Sequence, residues 1–233
     1  MKNNFVYINN IKPYAVCSGI RPKDFILSCY NTNYILIAKG DFLGDRNIKK
    51  FEIFDNVNEF LKCLNGDYFG DLCFLDFKEK NSPKNLKYNE IADILYCAHM
   101  FEGKRIFFET LKNTFFLFSH DNGFYSKIYY NTDDIIKRLT EWKMFEIIRK
   151  KLKNDPNKIP YDIINSLINL FELGILIDYE DFYTNKSTDV NLIKVGNIVD
   201  MDCIYNGIKE IRHSCELKGK INYVDGKWLL NIY

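Results

Sequence analysis

The sequence predicts an α+β protein in which antiparallel hairpins and a meander pack against amphipathic helices. Three observations predict it. Residues 114–118 and 124–130 flank Asp121-Asn122-Gly123, and residues 216–224 and 227–233 flank Asp225-Gly226; Asn-Gly and Asp-Gly suit type I′ turns, whose two central residues both need positive φ. Apolar residues recur at steps of three and four through Ile135, Leu139, Trp142, Phe145, Ile148 and Leu152, the period of one helix face. Strand and helix patterns do not alternate regularly, which argues against a doubly wound parallel sheet.

Taken in order, residues 5–8 and 25–29 are β-branched or aromatic runs bounded by Asn, Pro and Gly, and read as strands. Residues 34–38, closed by Gly40, and residues 51–54 read likewise. Asp55 is placed to cap a helix carrying Val57, Phe60, Leu61 and Leu64 on one face, with Gly66 as its stop. A strand follows at 72–77, and the polar stretch 78–85 with Ser82-Pro83 is the best linker. A helix at 88–101, capped by Asn89, has Ile91, Ile94, Leu95 and Ala98 as its stripe, and Gly103 stops it. After the first hairpin, Asn131 or Thr132 caps the long helix, with Asp133 and Asp134 at its positive end. A second helix from Pro160 to Gly174 is apolar on most of its surface and is expected to be nearly buried. A short helix near 203–212 precedes the terminal hairpin. The whole reads as one compact domain over 1–233, which would subdivide into a strand-rich 1–80 and a helix-and-hairpin 86–233.

Balanced charge, 32 basic against 31 acidic side chains, argues against a dedicated polyanion binder. The seven cysteines, Cys17, Cys29, Cys63, Cys73, Cys97, Cys203 and Cys215, are odd in number and form no CxxC pair. They read as reduced, buried thiols of a cytoplasmic protein. No leader-like segment and no apolar run long enough to span a bilayer is expected. Lys, Asn, Ile, Phe and Tyr abound while Ala occurs only at 15, 38, 92 and 98; A/T-rich codons account for much of that skew, and with it for part of the aromatic content.

No GxxxxGK[ST] or GxGxxG loop, no GxSxG elbow and no HExxH helix is present, and neither 41–45 nor 200–202 has the ligand spacing of an EF-hand. No cofactor and no metal is therefore expected. The three histidines are His99 on the 88–101 helix, His120 before the Asn-Gly turn, and His213. If helix end and hairpin tip meet, His99 and His120 form an acid/base pair, with Asp121 orienting one ring and Cys97 as a nucleophile; the chain would then be a small hydrolase or nuclease. Cys97 and His99, two residues apart, diverge by about 200° on a helix and form no dyad alone. Cys97, His99 and His120 lack compact zinc-ligand spacing. Arg149, Lys150, Lys151 and Lys153, with Lys158 beyond, would neutralise phosphates in a nucleic-acid-binding regulator, but cations at a helix C-terminus also satisfy its carbonyl end.

The block Tyr96-Cys-Ala-His-Met-Phe101, then Phe107, Phe108, Leu111, Asn113, Phe115, and residues 119–127 with Tyr129 and Tyr130, resembles small bacterial immunity proteins of toxin–immunity (contact-dependent inhibition or polymorphic toxin) loci. The likeness spans about 35 of 233 residues and lies in texture, an aromatic helix followed by an aromatic Asn-Gly hairpin. It implies a non-catalytic cytoplasmic protein that binds and neutralises a partner protein, a cognate toxin domain; it assigns no residue a role. The residues themselves offer Phe124, Tyr125, Tyr129 and Tyr130 as contacts, since aromatic side chains bury large area with few rotatable bonds. Strand alternation places Phe124 and Tyr130 on one face and Tyr125 and Tyr129 on the other.

Overall fold

The computed structural model describes residues 5–9, 11, 13–28, 34–38, 51–64, 72–99, 103–120, 124–181, 188–196 and 201–233. Within them are eleven strands and six α-helices, and every described strand pair is antiparallel. The fold is thus mixed α and β, mostly sheet with helices upon it. The residues group into two compact units, one formed by Met1–Gly19 with Asp133–Tyr233 and the other by Ile20–Thr132. The polar stretch 78–85 lies inside the second of these.

The unit of residues 20–132 is a five-stranded sheet. Its strands are β3 (Tyr34–Ala38), β4 (Phe51–Phe54), β5 (Leu72–Phe77), β6 (Phe115–His120) and β7 (Tyr125–Tyr130), ordered β7-β6-β5-β3-β4. Helices α1 (Pro22–Ser28) and α2 (Val57–Leu64) supply Phe25 and Phe60, which meet Phe74 and Phe115 at ring separations of 4.9 to 6.3 Å. Helix α3 (Tyr88–Ala98) instead buries Ile94, Cys97 and Ala98 with Leu36, Leu75, Phe116 and Phe118, which alternation turns to the opposite face.

The other unit is a six-stranded sheet of β1 (Phe5–Asn9), β2 (Tyr14–Ser18), β8 (Ile175–Asp178), β9 (Val190–Lys194), β10 (Glu216–Val224) and β11 (Lys227–Ile232). Their order is β11-β10-β9-β8-β1-β2. It carries α4 (Asp133–Leu152), α5 (Tyr161–Phe171) and α6 (Met201–Ser214). Arg212 of α6 holds Asp178 of β8 bidentately, at 2.9 and 2.8 Å, and both side chains are largely buried. Gly174, φ +68, ends α5 in the left-handed conformation; a Cβ there would stand 2.1 Å from the Gly196 carbonyl oxygen.

Several expectations are corrected. The run 25–28 is helical, not a strand: Pro22 has the φ suited to a first helical turn, and a short apolar run fits either period. Cys29 lies outside the described residues, as do Gly40 and Gly66. Asn56, not Asp55, caps α2, accepting from the Glu59 amide at 2.9 Å, while Asp55 pairs with Lys80. Lys87, not Asn89, is the N-cap of α3, and Glu90 reaches back to its amide at 2.9 Å; a lysine has no acceptor, so only this half of a capping box forms. The described part of that helix ends at Ala98, with His99 as its C-cap. On α4 the expected Ile135, Leu139 and Ile148 are buried, but the buried stripe is shifted to include Ile136, Thr140, Lys143, Met144 and Ile147, so Trp142 and Phe145 are only half-buried and Leu152 is exposed. Helix α5 is half-buried, with Tyr161 exposed.

Candidate functional site

The α3 side of the 20–132 unit combines an exposed aromatic stripe with a hairpin end. Registers Leu36↔Leu75, Leu75↔Phe116 and Phe116↔Tyr129 put Tyr129 on the face that α3 covers, and Lys127, Tyr125 and His120 follow by alternation. With Ile94, Cys97 and Ala98 turned to the sheet, the helical period sends Tyr88, Ala92, Tyr96 and His99 outward together. All four are exposed, Tyr88 by 93% and Tyr96 by 53%. No charged side chain stands in that stripe. Asp93, beside it, is half-buried and pairs with Arg105 at 3.2 Å.

At the hairpin, the rings of His120 and Tyr125 stack 4.4 Å apart with an 11° tilt. Phe124 is 39% exposed, and its amide donates to the His120 carbonyl at 3.0 Å. Lys127 is buried along its stem, with Nζ 4.9 Å from the centroid of Tyr129, which also meets Phe118 edge-on. Tyr125 and Tyr129 are half-buried. Tyr130 is 1% exposed and belongs to the interior, so it offers no surface to a partner.

His99 and His120 lie at the same end of this unit. Cys97, two residues before His99, shares one buried cluster with Cys73 and Phe118, and Cys73 pairs with Phe118, two residues before His120. Asp121, Asn122 and Gly123 lie outside the described residues. Cys97 is fully buried, which removes it as a nucleophile. Burial pushes the Cys73 thiol well up, with Cys97 adding to it, and pushes Cys17 to about 12 against the opposing charge of Lys143. Among the described residues no group of three or more His, Cys, Asp or Glu is placed to hold a metal ion, and no helix is long and apolar enough to cross a membrane.

Comparison with protein-family models, curated proteins and solved structures finds no match. The basic run on α4 is partly compensated, since Glu146 pairs with Arg149 and, at 3.8 Å, with Lys150. In the sequence His99 stands out as one of three histidines and Tyr96 as part of an aromatic block, while Tyr88 carries no signal of its own. The i, i+4, i+8, i+11 spacing of Tyr88, Ala92, Tyr96 and His99 was the available signal. It is masked because the complementary apolar stripe of the same helix is the stronger pattern.

Proposed function

We propose that this protein binds a partner protein in the manner of the bacterial immunity proteins, neutralising a toxin domain in the cytoplasm, where its thiols stay reduced. The observation that carries the reading is the uncharged outward stripe of α3, in which Tyr88 and Tyr96 stand exposed. Tyrosines of this kind are preferred anchors: they bury a large apolar body at low entropic cost and keep a hydroxyl for the rim. Phe124 and Tyr125, on the aromatic hairpin, extend the proposed contact set. The test is co-expression with the product of the adjacent reading frame, followed by titration calorimetry. Tyr88→Ala and Tyr96→Ala, at exposed positions, are expected to keep the fold and each to weaken the complex by about 30-fold, the scale of a hot-spot residue. Absence of a complex, or undiminished affinity in both variants, refutes the proposal.

The common location of His99 and His120 favours a second reading, a hydrolase or nuclease using both imidazoles. His99→Ala and His120→Ala with unchanged turnover in a broad activity screen would end it.

A further inference from the structure

In the terminal hairpin, Asp225 (φ 50) and Gly226 (φ 76) form a two-residue turn, so Val224 and Lys227 are the closely hydrogen-bonded pair that flanks it. Alternation then turns the backbone groups of Lys227, Leu229 and Asn231 toward β10. The Tyr233 amide, donating to the Lys218 carbonyl at 2.8 Å, confirms the phase. The N–H and C=O groups of Trp228, Leu230 and Ile232 therefore point away from β10. No described strand pairs with that side of β11.

Natural edge strands are guarded by proline, by bulges or by several charges. The far strand of the other unit, β4, is four residues long and carries Glu52. β11 has none of these guards beyond Lys227 at its start, and among the described residues the register shift nearest to it is in β10, between Leu217 and Gly219. Leu229, Ile232 and Tyr233 are 47%, 52% and 65% exposed. Beside the strand, Asp162, Ile163 and Ser166 of α5 face Trp228, Leu230 and Ile232 across an open groove of about 440 Å³.

We propose that β11 pairs edge to edge with β11 of a second copy of this chain, antiparallel about a two-fold axis at Leu230. That register sets Leu230 against Leu230 of the second copy and Trp228 against Ile232. Each outward N–H meets an outward C=O, because the residues brought opposite one another are the ones whose backbone groups face outward. Charge favours this occupant. On the solvent-facing side, Lys227 comes opposite Tyr233, an ammonium against an aromatic ring, at both ends of the pair. The two Lys227 side chains are held about 20 Å apart, six residues of strand rise, where salt screens them from each other.

A single strand pair is a small interface, so the association is read at high concentration, up to about 500 µM. Sedimentation velocity on the intact chain is expected to move from the monomer toward twice its mass over that range. Hydrogen exchange at the amides of Trp228, Leu230 and Ile232 should slow in step with the shift. Leu230→Pro removes an outward amide and leaves the β10 ladder whole, so it should stay monomeric with unchanged circular dichroism. Leu230→Lys and Leu230→Glu should each be monomeric alone and pair when mixed, because the axis places position 230 against itself. A constant monomer mass in the parent protein overturns the proposal. So does a dimer whose three edge amides exchange no more slowly than in the monomer, or one that persists in all three variants.

Discussion

The two hairpins of this protein carry the same kind of turn signal in the sequence and differ in almost everything else. Asn122-Gly123 and Asp225-Gly226 announce them equally well in the sequence, and both bring their strands into antiparallel register. In β6–β7 both faces are covered over most of the length: Phe116, Phe118, Phe115, Ile128 and Tyr130 are all 3% exposed or less. In β10–β11 only the face with Ile221, Tyr223 and Trp228 is buried, while Val224 and Leu229 are open to solvent. A turn motif specifies that two strands meet. It does not specify how many layers cover them, which depends on what the rest of the chain lays on each face.

Thiol reactivity is the sharpest way to probe this contrast, because each hairpin has a cysteine next to it. Cys73 pairs with Phe118 beside the inner hairpin, and Cys215 directly precedes β10. Native alkylation at pH 8 followed by peptide mapping should label Cys215 at least about 100-fold faster than Cys73, whose burial holds the thiol protonated. Comparable rates would show that the inner hairpin opens readily. Side-chain truncation comes next. Phe116→Ala should cost about 3–5 kcal/mol, whereas Leu229→Ala should stay within about 0.5 kcal/mol, both read from urea midpoints.

A smaller effect is expected where the outer hairpin is tied to the loop after α4. The Trp228 indole N–H donates to the Asn157 carbonyl at 2.7 Å, and the Asn157 amide donates to the Tyr223 hydroxyl at 3.0 Å. Trp228→Phe should lose about 1–2 kcal/mol through the missing hydrogen bond and the reduced ring. The inner hairpin has a titratable counterpart. Asp76 accepts from Thr114 and Phe115 where β6 begins, yet burial, the larger influence, raises its carboxyl above the ordinary 3.8. A raised acid contributes stability that is complete below the unfolded value and is lost as pH rises through the folded one. The denaturation midpoint of Asp76→Asn should therefore gain on that of the parent as pH rises above the ordinary carboxylate value of 3.8; parallel curves would remove the assignment. The smallest change is Asp225→Asn, expected to alter stability by only a few tenths of a kcal/mol, since either residue accepts the turn's positive φ.

The readability of the sequence followed the range of the interactions concerned. Both hairpins, the long helix α4 and the helix near 201–214 could be read because turn chemistry and helical period act within a few residues. Strand and helix could not be told apart at 25–28, where Phe25 and Ile26 are buried and so short an apolar run fits either period. Strands β2, β8 and β9 carried too little alternation to be picked out, and each is defined by its neighbours' ladders. The candidate site was half visible: the hairpin aromatics were named, but Tyr130 proved interior and Tyr88 was overlooked.

By itself the amino-acid order determined the local pieces: which segments turn, which carry a helical stripe, and that antiparallel strands and helices would share the chain. Only the tertiary structure decided which side of each piece meets solvent. It turned Lys127 and Lys143 inward and left Leu229, Tyr88 and Tyr96 exposed. It also placed His99 and His120 at one end of a sheet, though they are 21 positions apart in the chain. The reason is physical: backbone conformation is set by neighbours in sequence, whereas burial and juxtaposition are set by strand register and layer packing between segments that meet only after folding.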